Sequence, residues 1–157
     1  MRRIEILTNQ IIDKVIIGKR CKIWYFVNLY NSIIGDDVNI GAFVEIQKAK
    51  IGNRCRIANG SFIPNGVIIG DDCFIGPKVC FTTDKYPSVK KAMTQKQFWP
   101  EKLTVVGNRV IIGANTTILP GISIEEGAII GAGSLVTKDI GKNEVWYGSP
   151  AVCVRKL

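Results

Sequence analysis

Residues 106–136 read VGNRVIIGANTTILPGISIEEGAIIGAGSLV, and an aliphatic side chain returns at every sixth position: Val106, Ile112, Ile118, Ile124, Ile130 and Val136. Four residues after each of the first five stands a residue that is mostly small or β-branched: Val110, Thr116, Ile122, Ala128 and Ser134. Positions an even number apart along an extended chain face the same side, so both sets point into one interior. A helix requires apolar residues at spacings of three and four, which this stretch lacks. Glycine directly after the aliphatic, as at Gly107, Gly113 and Gly131, permits a tight corner.

The same period extends towards the N-terminus. It runs through Ile51, Ile57, Ile63, Ile69, Ile75 and Phe81, then through Ile34, Ile40 and Ile46, and first through Ile17, Ile23 and Leu29, with one-residue slips between phases. The companion set continues as Cys21, Val27, Val44, Cys55, Ser61, Val67, Cys73 and Val79. Three hexads make a coil of about 18 residues, and coils stack with parallel strands roughly 4.8 Å apart, each covering its neighbour's aliphatics. The expected fold is one all-β domain over residues 1–157, a parallel β-helix of about six coils. The coils are expected over 17–81 and 106–141, an excursion loop over 82–105, and a C-terminal tail over 142–157.

Composition narrows the function. Among 157 residues there are 21 Lys plus Arg against 13 Asp plus Glu, a formal charge of +8, and no histidine at all. Ser-His-Asp triads, Cys-His pairs and His-ligated metal sites are therefore excluded, and no metal is expected. The five cysteines form no CxxC pair, and an odd number argues against a disulfide framework. Cys21, Cys55 and Cys73 fall on the small inward position, where a thiol acts as a compact hydrophobe. Cys80 and Cys153 lie off it. No apolar run approaches the roughly 18 residues of a membrane span, and Ile4 to Leu7 is too short for a signal peptide, so a cytoplasmic location is expected. The basic residues are scattered without a nucleic-acid-binding motif, and no nucleic-acid partner is expected.

Between Phe81 and Val106 the period stops, over TTDKYPSVKKAMTQKQFWPEKLTV. Loops of that length in a compact fold are commonly functional. Here Lys85, Lys90, Lys91, Lys96 and Lys102 mingle with Tyr86, Phe98 and Trp99, as in a lid or bridging arm that meets phosphate.

The strings FIGPKVCFTTDKYP (74–87), FWPEKLTVVGNRVIIGANTTILPGISIEEGAIIGAGSLVTKDI (98–140) and VWYGSPAVCVRKL (145–157) resemble the sugar-nucleotide N-acetyltransferase branch of the hexapeptide-repeat acyltransferases. That family is built on a left-handed parallel β-helix; the hand comes from the resemblance, since the general crossover rule favours the right. The resemblance implies a homotrimer with active sites between neighbouring prisms, and transfer of acetyl from acetyl-CoA to a sugar amine on a UDP or dTDP nucleotide. It carries Ala114, Gly131, Ala132, Thr137 and Lys138 to the pantetheine groove, and Pro150, Arg155 and Lys156 to the adenine and phosphate end. Two motifs depart from the family pattern. Trp24-Tyr25-Phe26 stands where the family commonly reads WHF, and Phe81-Thr82-Thr83-Asp84 where it reads FTND.

Acyl transfer needs a nucleophile, a path for its proton and donors for the developing oxyanion. An alcohol is hard to deprotonate, whereas a sugar amine with a pKa near the α-amino value of about 8 is roughly one-tenth neutral at pH 7 and attacks a thioester directly. The ammonium formed must then lose a proton. Asp84, at the mouth of the excursion, ranks first as its acceptor, ahead of Glu45 and the leaving thiolate. Thr83 and Asn65 are candidates beside it for the reacting groups. Tyr25, Glu45, Asn59, Lys85 and Tyr86 are candidate contacts for the nucleotide sugar, and backbone N–H groups near Gly113 and Gly131 for the oxyanion. Two other readings stay open: a non-catalytic β-helix scaffold, and an O-acetyltransferase with a carboxylate base.

Overall fold

The computed structural model describes residues 9–90 and 102–157. Phe98 and Trp99, with Lys91 and Lys96, lie outside the described residues. Each coil of the chain contributes one short strand to each of three parallel sheets. The first three coils are β1 (Ile11–Asp13), β2 (Ile16–Ile17), β3 (Lys22–Ile23); β4 (Asn28–Tyr30), β5 (Ile33–Ile34), β6 (Asn39–Ile40); and β7 (Glu45–Gln47), β8 (Lys50–Ile51), β9 (Arg56–Ile57). The next three are β10 (Phe62–Ile63), β11 (Val67–Ile69), β12 (Phe74–Ile75); β13 (Cys80–Phe81), β14 (Thr104–Val106), β15 (Ile111–Ile112); and β16 (Thr117–Ile118), β17 (Ser123–Ile124), β18 (Ile129–Ile130). The last coil holds β19 (Leu135–Val136), an isolated bridge at Ile140, and β20 (Glu144–Gly148), which turns back as β21 (Ala151–Lys156).

Sheet A runs β1-β4-β7-β10-β13-β16-β19, sheet B β2-β5-β8-β11-β14-β17, and sheet C β3-β6-β9-β12-β15-β18-β20-β21. All pairings are parallel except β20 with β21. Sheet A therefore has seven rungs, one more than the six coils expected. The additional coil begins at Ile11, where the sequence period is not yet regular. Ile12 stands five residues before Ile17 and is followed by Asp13 rather than glycine, yet it pairs in register with Leu29. The chain re-enters the coil by Thr104, which already pairs with Val67, whereas the excursion was expected to run to 105. No helix among the described residues is long and apolar enough to cross a membrane.

The six-residue period produces stacked columns of buried side chains. Leu29, Ile46, Ile63, Phe81, Ile118 and Val136 line sheet A, and Ile40, Ile57, Ile75, Ile112 and Ile130 line sheet C, all buried. Polar atoms on the small inward residues point to backbone carbonyls one coil on. The thiols of Cys21, Cys55 and Cys73 reach the carbonyls of Gly35, Gly70 and Gly107 at 3.1, 3.1 and 3.0 Å. The hydroxyls of Ser61 and Thr116 donate to Gly76 and Gly131 at 2.9 and 3.1 Å. Among the described residues no buried side-chain nitrogen or oxygen is left without a partner.

Most corners use a residue of positive φ, and in the first five coils the B-to-C corner places a charged residue there: Arg20, Asp37, Arg54, Asp72 and Arg109. Stacked one coil apart, they alternate in sign. Arg20 meets Asp37 at 2.5 Å, Arg54 meets Asp72 at 2.6 Å, and Arg109 meets Glu126 at 2.6 Å, with Lys142 2.9 Å from the same Glu126. Alongside, Asp36, Asn53, Asp71 and Asn108 each accept a hydrogen bond from a backbone N–H of the preceding coil. The Arg20 hydrogen bond holds Asp37 below the usual carboxylate range, and Arg54 does the same for Asp72. Asp71 is lowered by the Asn53 backbone N–H, and Glu126 by Lys142 and then Arg109.

Carboxylates with lowered folded values stabilise the fold above their unfolded pKa, near 4, and lose that contribution as pH falls through the lower folded value. The melting temperature should hold from about pH 7 to 5 and drop below about pH 4. Added salt should weaken this exposed ladder at neutral pH. A melting temperature that rises on acidification from pH 5 to 3 would contradict the ladder. The glycines separate in the same assay. A Cβ at Gly76 would lie 2.8 Å from both the Ala114 nitrogen and the Ile112 carbonyl oxygen, whereas one at Gly133, where φ is +70°, meets nothing within 4 Å. Gly76→Ala should cost about 3 kcal/mol through overpacking, and Gly133→Ala only about 1 kcal/mol from backbone strain.

Candidate functional site

Most of the candidate residues fall on two edges of the prism, either side of sheet A. The A-to-B edge carries Asn65, Thr83 and Asp84. Asn65 sits at this corner between β10 and β11, and the excursion leaves the same corner one coil further on. Since Phe62 pairs with Cys80, counting forward from sheet A puts Thr83 at the same A-to-B corner as Asn65, one coil on. Thr82 anchors the departure, its backbone N–H and its hydroxyl each 3.0 Å from the Ile118 carbonyl. Asp84 follows, and its Oδ1 accepts the Tyr86 backbone N–H at 2.7 Å, which fixes the first turn of the loop. Lys85 stands 5.7 Å above the Tyr86 ring centroid, a cation over an aromatic face. Thr137 and Lys138 leave β19 at this same edge, two coils below Thr83.

The C-to-A edge carries a different set. Tyr25, Asn59, Ala114 and Ala132 occupy it in coils one, three, five and six, with Gly131 just before the last. A recess of about 310 Å³ opens on this edge, lined by Trp24, Asn39, Ala42, Arg56, Ala58 and Asn59. The Trp24 indole N–H donates to Asn39 Oδ1 at 3.1 Å, which holds the exposed ring against sheet C. Arg56 and Asn39 belong to this recess and were not singled out from sequence, because outward positions of a β-helix carry no periodic signal. The 17-residue spacing from Asn39 to Arg56 was the available clue.

Glu45 lies between the two edges, on the outer face of sheet A. Its Oε1 accepts from the Tyr30 hydroxyl at 3.3 Å and from the Gln47 amide. Burial, and then the neighbouring Glu45, push the Tyr30 phenol up. Glu45 is thus held in a polar cluster rather than standing alone in solvent. Pro150 occupies the turn between β20 and β21, and Arg155 and Lys156 lie on β21, with Lys156 Nζ 3.7 Å from Glu144. Hydrogen bonding from Trp146 and from the Gly141 backbone lowers Glu144. The cosubstrate set is therefore divided among the C-to-A edge, the A-to-B edge and the C-terminal hairpin. No three His, Cys, Asp or Glu side chains among the described residues are placed to hold a metal ion.

This three-sided solenoid matches known families. Residues 4–103 match the family model of the GMPPB C-terminal domain, and residues 103–138 that of the bacterial transferase hexapeptide (six repeats). The chain belongs to the GMPPB C-terminal domain family and carries the bacterial transferase hexapeptide repeat. It is similar to the bifunctional protein GlmU of Dichelobacter nodosus, 33% identical over 144 residues that make up 88% of this chain and 27% of that protein. It is also similar to the galactoside O-acetyltransferase of Escherichia coli, 36% identical over 91 residues, 58% of this chain and 44% of that one. Among solved structures, a mutant of AntD, an N-acyltransferase from Bacillus cereus in complex with dTDP-4-amino-4,6-dideoxyglucose and coenzyme A, superposes with a TM-score of 0.78. The superposition covers 91% of this chain and 83% of that one at 23% identity, a likeness of fold. The chain spans about a quarter of the length of the bifunctional relatives it matches.

The thiols stand apart from both edges. Cys55 and Cys73 are buried, Cys21 and Cys80 half-buried and Cys153 exposed on β21. Burial raises the Cys21 and Cys80 thiols, as expected for inert groups. A thiol-specific reagent should therefore titrate Cys153 first in the native protein, and Cys55 and Cys73 only on unfolding. Rapid labelling of Cys55 or Cys73 in the folded state, read by mass spectrometry, would contradict the inward placement.

Proposed function

We propose that this chain is an acetyl-CoA-dependent N-acetyltransferase acting on the amine of a UDP- or dTDP-linked amino sugar, working as a homotrimer. The observation that carries the reading is the root of the excursion, where Thr83 and Asp84 leave the A-to-B corner one coil on from Asn65, in a chain that holds no histidine. The ligands of the structurally similar AntD complex, a nucleotide-linked amino sugar and coenzyme A, support the substrate class. The split of the site supports the trimer. Asn59 and Asn65 are six residues apart along one side of the prism, about 20 Å at roughly 3.3 Å per residue. Thioester and amine must approach within about 3.5 Å to react. Residues on both edges serve one reaction only if the C-to-A edge of one chain faces the A-to-B edge of another.

In the proposed step the neutral sugar amine attacks the thioester carbonyl carbon, the C–S bond of the tetrahedral adduct breaks, and the CoA thiolate departs. The ammonium proton passes to Asp84 or to the thiolate, which completes the balance. Lys138, Arg155 and Lys156 supply cations for the phosphates of the cosubstrate. Ala114, Gly131 and Ala132 leave room for the pantetheine arm along the coil edge. Tyr25, Asn59, Lys85 and Tyr86 contact the nucleotide sugar. The galactoside O-acetyltransferase relative favours a second reading, transfer to a hydroxyl with a carboxylate as base.

The test is release of free CoA with a panel of UDP and dTDP amino sugars, alongside mass by light scattering. With direct attack, log(kcat/KM) for the sugar should rise with unit slope to the amine's own pKa, near 8, and then level. Asp84→Asn should lower the rate by about tenfold or less, since the amine needs no base before attack. A loss of more than about a thousandfold would make Asp84 an obligatory base and favour the hydroxyl reading. A monomeric mass in an active preparation would remove the trimer.

A further inference from the structure

The C-to-A corner repeats a single positive-φ position once per coil, occupied in turn by Phe26, Phe43, Gly60, Lys78, Asn115 and Gly133. Backbone hydrogen bonds confirm the stacking. Phe43 N–H meets the Tyr25 carbonyl at 3.3 Å, Gly60 that of Ala42 at 2.9 Å and Lys78 that of Asn59 at 2.9 Å. The corner demands the backbone conformation but not the side chain, as Gly, Lys and Asn at the same position show. Placing two phenylalanines there leaves 52% and 64% of Phe26 and Phe43 exposed, a cost with no return in core packing.

The two rings are stacked, with centroids 5.1 Å apart and planes 6° from parallel. That spacing is one coil. Phe26 covers one face of Phe43, and the position opposite the other face is Gly60, which has no side chain. Lys78 closes the far side: its Cγ would lie 3.5 Å from a Cβ at Gly60. Phe43 and Lys78 are two coils apart, about 9.6 Å at roughly 4.8 Å per layer, which leaves room for one planar ring between them. Asn59, immediately before Gly60, adds an amide at the rim, and the recess with Arg56 opens next to it.

We infer that this gap is a stacking slot for the base of a nucleoside diphosphate. The base continues the Phe26–Phe43 stack over Gly60, the Asn59 amide meets its polar edge, and the Lys78 ammonium lies on the diphosphate side. Stacking gives affinity for any base through its π face, and the cation selects the phosphorylated form. The slot deepens the proposed function and rests on it. Two ligands of that reaction carry such a group: the nucleotide sugar and the adenosine end of CoA.

The test is equilibrium binding by calorimetry of UDP, dTDP and CoA, each to the full chain, to Phe43→Leu and to Gly60→Asn. Asparagine tolerates the backbone conformation of position 60 and fills the gap. Both variants should weaken the occupying ligand by about tenfold or more. A loss confined to UDP or dTDP assigns the slot to the sugar nucleotide, and a loss confined to CoA assigns it to the adenine. Phe43 is exposed, so the Phe43→Leu melting temperature and oligomeric mass should stay at the wild-type values. If the wild type binds these ligands and both variants match it, the slot is wrong while the proposed function stands. If Phe43→Leu loses affinity only together with a changed mass or melting temperature, the ring is a packing contact and the slot is likewise overturned. A wild type that binds none of the three overturns both.

Discussion

The fold depends on one constraint: every backbone donor and acceptor along a coil face is paired with the coil one layer away. Ile57 pairs with Ile40 and with Ile75, and the same holds down each sheet. An unpaired buried amide costs more than most side-chain contacts return, so each side is held in register with the one a layer away. Sides of six residues follow, shortened to five on the A-to-B side of the first three coils, most with one corner residue of positive φ, and the aliphatic columns follow from that. Insertion is tolerated only at a corner, where the chain already leaves the ladder. The excursion obeys this rule: Phe81 is paired before it and Thr104 after it.

The same corners decide where charge and chemistry sit. On the B-to-C edge, Arg20, Arg54, Arg109 and Lys142 are matched by Asp37, Asp71, Asp72 and Glu126. Those eight residues sum to zero, so the formal +8 of the chain belongs to the remainder. That edge is thereby committed to holding the coils together. The other two edges carry aromatic, amide and small residues, Tyr25, Asn59, Asn65, Thr83 and Ala114 among them, whose placement no core requirement explains. A basic chain with one neutralised edge is suited to phosphate-bearing ligands at the others.

Most of the architecture was legible in the sequence because burial repeats every six residues, and the columns at Ile57, Ile75 and Ile112 are those that the period predicts. The inward cysteines and the excursion were legible for the same reason, one keeping the period and the other breaking it. The first coil was not, since Ile12 is only half-buried and stands five rather than six residues before Ile17. The candidate residues were read one by one, and their arrangement was not. Asn65 and Thr83 are 18 apart and fall at one corner in successive coils, whereas Asn59 and Asn65 are six apart and on different edges. Outward and corner positions follow no hydrophobic period, which is why Phe43, Gly60, Lys78 and Arg56 gave no signal until the coils were aligned.

Among the described residues, the recess beside Trp24, about 310 Å³, is too small to enclose two phosphate-bearing ligands. The rigidity of the prism offers something else. Groups on one edge are held at multiples of a single layer spacing, so a long ligand laid along the axis meets them in a fixed order. Under the proposed reading, the C-to-A edge then acts as a ruler: base over Gly60 or pantetheine past Ala114 and Ala132. The A-to-B edge of a facing chain brings Thr83 and Asp84 to a set height on that ruler. Under that same reading, positioning of this kind is what the edges contribute to an amine that is already nucleophilic, a task that needs no histidine.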